Sequence, residues 1–509
     1  MRKFLKVAAI VVLALLVAAP AMALDFKFGA EYRIRFYSNL NGSQASLGND
    51  EGLTSQRGIQ SRIRPRFDVS DDNGNMTATL RLEIGDIEWG NGGGASSTAN
   101  GGSNGSINYS GARTGNGAGG GMGVDGINVE TKWAYLDFAT PGGVPLRWRA
   151  GLQPWYEAKG IIIDDDLAGV RAYGKASIVS YEVGWYRPSS GPCTNTTVPT
   201  TSPNTGLNAC SATNTSDNNF DFYELKAGLA VAKAFNPTFY YIYGYNAATN
   251  TTSNTNVYYQ TKPATSQFLG LSITGDAGFL TYDFDFVAGS QNGGDQGNFT
   301  AAGGGGDGRV KTVGWMGDAG VHVPIGPVLL HFVGSYATGD KQNGGKSEAM
   351  PWISPSWNGA GGLYEIIGSG GVFDQVDVTQ DYPAGLWMLG FGAEYRPVKA
   401  LWLRGMYGYA GFTGSRANCG YTNSRVPGAC YGPVYQGKGY NTAVLGADGT
   451  VSTGGDGGIA GKSSLGQEVS FRADYDLWTN FKIQGAAGWL FPSAGSVVSE
   501  YVLQLLYNF

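Results

Sequence analysis

The chain has 509 residues, 15% of them charged and 13% aromatic, with 82 glycines and a net charge of −5. A mildly acidic balance argues against a nucleic-acid partner, and nowhere after the first two dozen residues do ~20 consecutive apolar residues offer a membrane-crossing helix. No zinc, P-loop or dinucleotide motif occurs, so no cofactor is expected and nothing points to an enzyme.

The chain opens with Arg2, Lys3 and Lys6, an apolar run over residues 7–19, Pro20, and the small-residue pattern Ala21-Met22-Ala23. These are the parts of a secretory signal peptide cleaved after Ala23. Its loss would remove three cations and leave residues 24–509 with a net charge near −8.

The next segments alternate. Phe26, Phe28, Ala30, Tyr32, Ile34 and Phe36 share one parity, and Lys27, Glu31, Arg33 and Arg35 the other. Side chains on a strand point alternately to its two faces, so this is a strand with one greasy and one charged face. Residues 59–70 repeat the pattern, setting Ile59, Ile63, Phe67 and Val69 against Arg62, Arg64, Arg66 and Asp68. Pro65 falls on the apolar parity and lacks an amide donor, which predicts a bulge there. After the tight turn at residues 71–75, Leu80, Leu82 and Ile84 oppose Arg81 and Glu83. Strands over residues 129–140 and 146–153 flank the turn Pro141-Gly142-Gly143, the second carrying Arg147 and Arg149 on its polar face.

The same grammar continues to the end, with about 18 strands expected, 16 being the alternative count. Short turns at residues 234–237, 275–278, 324–327 and 397–400 alternate with long connections, the Gly-, Ser- and Asn-rich 91–126 and those at 188–219, 339–384 and 411–466. The final strand, residues 496–509, has Tyr501, Leu503, Leu505, Tyr507 and Phe509 on one parity. Such a strand would leave a bare edge in an open sheet, whereas in a closed barrel it pairs with the first strand. The expected fold is therefore an all-β, closed antiparallel transmembrane β-barrel, with short periplasmic turns and long extracellular loops.

All four cysteines lie in two long loops. Pairing Cys193 with Cys210 and Cys419 with Cys430 closes short local rings, and an oxidising compartment favours disulfides; metal ligation is the weaker alternative. His322 and His331, beside the turn at 324–327, read as ordinary interface residues.

Arg33, Arg35, Arg62, Arg64, Arg66, Arg81, Arg147, Arg149 and Arg171 share the inward parity and make a basic wall. The third long-side connection, near residues 154–166, holds Glu157, Asp164, Asp165 and Asp166 together with Ile161-Ile162-Ile163. An exposed loop has no use for three isoleucines, so the segment is expected to fold back onto the inner wall and place acids opposite the arginines.

The signal peptide, the alternation, the terminal Phe509 and this third-loop arrangement resemble the trimeric porins of the Gram-negative outer membrane. Length and Gly-rich loops are most similar to the homotrimeric porins of sulfate-reducing Desulfovibrio-type bacteria. The resemblance implies a homotrimer in outer-membrane lipid and lipopolysaccharide, with Phe509 read by the barrel-assembly machinery. It also implies that Glu157, Asp164, Asp165 and Asp166 face the arginines across a pore constriction, although the loop motif of enterobacterial porins is absent. The expected function is passive diffusion of ions and small hydrophilic solutes. A substrate-specific channel for a sugar or an anion is one alternative, with Tyr240, Tyr241, Tyr243, Trp402, Tyr407 and Tyr409 as a candidate slide; a non-channel surface or adhesion barrel is the other.

Overall fold

Period-two alternation lets a strand present one face to hydrocarbon and the other to water, and the chain does this around a complete circle. The computed structural model describes residues 24–40, 56–89, 129–189, 219–247, 264–295, 309–339, 346–348, 350–354, 356–368, 372, 385–413, 443–445, 451–453, 464–493 and 497–509. The proposed signal peptide and all four cysteines lie outside these residues.

The barrel strands are β1 (Asp25–Leu40), β2 (Gln56–Ser70), β3 (Met76–Glu88), β4 (Val129–Ala139), β5 (Leu146–Glu157) and β6 (Ile163–Ala176). Next come β7 (Val179–Ser189), β8 (Phe220–Leu229), β9 (Asn236–Asn246), β10 (Ala264–Asp276), β11 (Thr281–Asp295) and β12 (Arg309–Ile325). The set ends with β13 (Val328–Ala337), β14 (Leu386–Val398), β15 (Leu401–Phe412), β16 (Ser464–Trp478), β17 (Phe481–Pro492) and β18 (Val498–Asn508). Each pairs antiparallel with its neighbour, and β18 closes on β1 from Glu31↔Asn508 to Leu40↔Ser499. The count is 18 strands, not 16. Phe509 completes the seam: its amide donates to the Ala30 carbonyl at 2.9 Å and its carbonyl accepts from the Ala30 amide at 2.6 Å.

The outside is apolar, with Phe26, Leu225, Leu269, Phe391 and Phe471 all more than half exposed. Aromatic rings gather at both rims. Phe28, Phe67, Tyr507 and Phe509 contact one another at the short-turn end, and Trp315–Tyr336, Trp387–Tyr409 and Trp489–Tyr501 do so towards the other. Such bands suit the two interfaces of a bilayer. Among the described residues no helix is long and apolar enough to cross a membrane.

Two local expectations need correction. Pro65 causes no register shift: it pairs regularly opposite Ala30, and the β2–β3 irregularity lies between Ser61 and Ile63. The missing amide interrupts the ladder without inserting a residue. His322 and His331 are directly opposed across β12 and β13, with their Nδ1 atoms 2.7 Å apart. Parity turns both inward: His322 Nε2 lies 3.0 Å from Asp283 and His331 Nε2 3.3 Å from Glu394.

Candidate functional site

The third long-side connection is not a loop but the far end of the β5–β6 hairpin. Pairing between β4 and β5 stops at Ala134↔Leu152, and between β6 and β7 at Gly169↔Tyr186, while β5 and β6 stay paired out to Glu157↔Ile163. Freed on both edges, the hairpin leaves the wall. It does so where Gly151 faces Gly169. Gly151 has φ 126°, and a Cβ there would stand 2.2 Å from the Ala134 carbonyl oxygen, so only glycine fits the bend.

The hairpin crosses the lumen because its inner face is apolar. Trp155, Ile161, Ile162 and Ile163 are all at most 1% exposed. Trp155 stacks on Tyr186 with centroids 4.3 Å apart and donates its indole N–H to Glu224 at 2.9 Å. Each such apolar side chain contributes on the order of 1.5–3 kcal/mol when removed from water. The fold-back expected from three consecutive isoleucines has this physical basis.

A second inward segment, residues 350–354 and 356–368, runs along the hairpin as a strap. Ile353 and Ser354 amides donate to the Ile162 carbonyl at 3.0 Å, the Asp164 amide to Ser354 at 2.7 Å, and Ser356 and Asn358 amides to Gly160 and Lys159 at 2.8 and 2.7 Å. Beyond them, the Glu468 carboxylate on β16 accepts backbone N–H groups from Glu365 (2.8 Å), Ile366 (3.2 Å) and Ile367 (2.6 Å). Arg404 on β15 reaches Glu365 at 3.3 Å. Burial raises the Glu365 carboxyl above the usual range, against the pull of Arg404 and the Val372 amide.

The hairpin tip carries Lys159, whose ammonium contacts Asp283, Asp285 at 2.7 Å and Asp318 at 3.1 Å, on the wall strands β11 and β12. Burial disfavours its charge, but Asp318, Asp285 and Asp283 outweigh that and hold the amine above its ordinary value. Asp318 also accepts the Trp357 indole N–H at 3.0 Å and the Ala360 amide at 2.9 Å, tying the strap to the same point.

The arginines divide into three groups. Arg33, Arg35, Arg62 and Arg64, with Arg472, Glu31, Gln484, Gln504 and Val372 of the strap side, line a cavity of about 230 Å³. Arg33 meets Asp86 at 2.6 Å, Arg35 meets Gln504 at 3.1 Å, Arg62 lies 3.6 Å from Glu31, and Arg64 contacts Glu83 at 2.5 Å. Arg66 and Arg81 both lie over the Trp133 ring, 5.5 and 4.5 Å from its centroid, Arg66 also pairing with Asp68 at 2.7 Å. Arg147 and Arg149 clasp Asp137 at 2.8 and 2.9 Å, and Arg171 pairs with Glu182 at 3.2 Å, apart from the cavity.

The expected acids also separate. Glu157 is buried against Lys226 at 2.5 Å, within the hairpin's seat on the wall. Asp166 accepts the Trp133 indole N–H at 2.7 Å and lies 3.2 Å from Lys132. Asp164 and Asp165 are exposed and held by Asn358 (3.3 Å) and Ser354 (2.9 Å). The tyrosine slide does not assemble: Tyr240 and Trp402 point inward, while Tyr241, Tyr243, Tyr407 and Tyr409 take the outward parity of their strands.

Lys159, the Asp283–Asp285–Asp318 seat, Glu468 and the strap were not singled out by sequence reasoning. Inward parity flags the acids, but nothing local says what meets them.

No family model matches the chain, and no curated protein matches it. Among solved structures it is similar to Pseudomonas aeruginosa OccK8 (OprE), at 11% identity and a TM-score of 0.49, covering 95% of this chain and 98% of that one. It is also similar to the outer membrane protein opdK of Pseudomonas aeruginosa, at 9% identity, a TM-score of 0.48 and coverage of 95% and 98%. A BenF-like porin from Pseudomonas fluorescens Pf-5 matches at 10% identity with a TM-score of 0.47, again over 95% and 98% of the two chains.

Proposed function

We propose that the chain is a porin of the Gram-negative outer membrane, a water-filled channel for passive diffusion of ions and small hydrophilic solutes. The observation that carries this reading is a closed barrel, apolar outside and charged inside, whose lumen is narrowed but left with an arginine-lined cavity of about 230 Å³. Opposed charges across a wet gap order water and hold back apolar solutes while small polar ones pass. On this reading the arginines of β1 and β2 form one side of the constriction and the exposed Asp164 and Asp165 of the hairpin the other. An anion-preferring channel is the second reading, favoured by five arginines around one cavity against a single lining glutamate.

On this reading residues 1–23 are a cleaved signal peptide and the assembly machinery reads Phe509. The barrel sits as a homotrimer among lipopolysaccharide, and Cys193–Cys210 and Cys419–Cys430 are loop disulfides. A threefold mass by unboiled gel mobility and light scattering tests the trimer, and peptide mapping tests the disulfides. The channel is tested by reversal potentials in a salt gradient. Neutralising Arg62 and Arg64 shifts preference toward cations, and neutralising Asp164 and Asp165 shifts it toward anions. Both shifts shrink as salt rises, since screening at 0.1 M limits reach to about 10 Å. Wild-type potentials in both variants would place the hairpin outside the ion path.

A further inference from the structure

Asp285 on β11 and Asp318 on β12 are direct cross-strand partners on the inward face, and both are at most 1% exposed. Like charges directly opposed in a sheet repel, and buried carboxylates without a counter-charge are costly. The wall therefore holds a pair that can stay fully ionised only if a cation is brought to it. The cation comes from Lys159, far from both in the chain and 159 positions from Asp318, at the tip of a hairpin that has left its own place in the wall.

We propose that Lys159 is the positioning residue of the constriction: its ammonium, seated on Asp283, Asp285 and Asp318, latches the hairpin across the lumen. This rests on the channel reading for its functional consequence, but the latch itself is a separate claim. The geometry around the seat supports it. Lys159 sits in the left-handed region at φ 55°, next to Gly160 at φ 74°, so the tip is a tight turn, and its side chain reaches on to the aspartates of β11 and β12. The Lys159 carbonyl accepts the Asn358 amide, and Asp318 accepts both Trp357 and Ala360, so the strap closes over the same contact. Removing the ammonium leaves two buried carboxylates without a counter-charge, which must take up a proton, water or a small cation in its place and lose their tie to the tip. The tip then lifts.

The test uses the full-length barrel carrying Lys159→Ala, read by hydrogen exchange at residues 356–358 and by single-channel conductance. The expected result is faster exchange in that stretch and a noisier channel with conductance raised about twofold. Adding n-propylammonium, which supplies the three carbons and the ammonium that the substitution takes away, restores both; n-propanol and extra sodium chloride do not. Wild-type exchange in Lys159→Ala, or fast exchange that propylammonium fails to slow, overturns the latch. If Lys159→Ala does not assemble, the reciprocal Asp285→Asn/Asp318→Asn variant is read in the same way, and wild-type exchange and noise there overturn it. The exchange readout decides the latch even if wild-type protein proves not to conduct, a result that would instead sink the channel reading.

Discussion

Replacing Glu468 should release the strap while leaving the barrel intact. Its carboxylate gathers the backbone N–H groups of three successive residues, Glu365, Ile366 and Ile367, at 2.6–3.2 Å, and it is fully buried. A hydrogen bond to a charged acceptor contributes about 1.5–3 kcal/mol net, so at the lower end of that range three amount to about 5 kcal/mol before relaxation. Water entering the vacated site recovers part of this, leaving about 3 kcal/mol, or about a hundredfold in the local opening equilibrium. Glu468→Ala should therefore speed exchange of the 365–367 amides by about a hundredfold. Glu468→Gln keeps one acceptor oxygen but turns an amide toward the donors, and should fall between the two. Exchange of the β15 and β16 ladders is the internal control, because their bonds are untouched. Unchanged protection at 365–367 in Glu468→Ala would refute the assignment of this side chain as the strap's anchor.

The Lys159 seat gives a pH prediction with a definite sign. The amine is held above its ordinary value of 10.5, so its contribution is fully present below that value and is lost only as pH rises through the raised one. Protection at 356–358 should stay constant from neutral pH to about 10.5, and a loss well below that would contradict an ammonium on three carboxylates. Trp155→Ala removes a fully buried ring, its stack on Tyr186 and its bond to Glu224, a loss of about 3–5 kcal/mol from the hairpin's seat. Tryptic cleavage after Lys159, which the seated hairpin should block in wild-type protein, should then become detectable in the folded barrel; continued resistance would mean that the isoleucines and the Lys159 seat hold the hairpin without the ring.

The alternation of β1, Phe26 to Phe36 against Lys27 to Arg35, determined by itself that this segment is a strand and which face meets lipid, because side-chain parity is a local property with period two. The same parity, repeated to Phe509, determined a closed barrel with short turns on one side. It also set Arg33, Arg35, Arg62 and Arg64 on the inner face, and the burial of residues 161–163 followed from their apolarity. Parity says nothing about what stands across the lumen. Only closure of the 18-strand circle brings Lys159 to Asp283, Asp285 and Asp318, or Glu468 to the 365–367 amides, and only the loss of pairing beyond Leu152 and Gly169 lets the hairpin turn inward. It also divides residues the sequence placed together, Glu157 going to Lys226 and Asp166 to Lys132 and Trp133, while Asp164 and Asp165 remain facing water. Those partners lie on strands far away in the chain, and a buried charge takes the counter-charge that the closed fold brings within reach, not the nearest one in sequence.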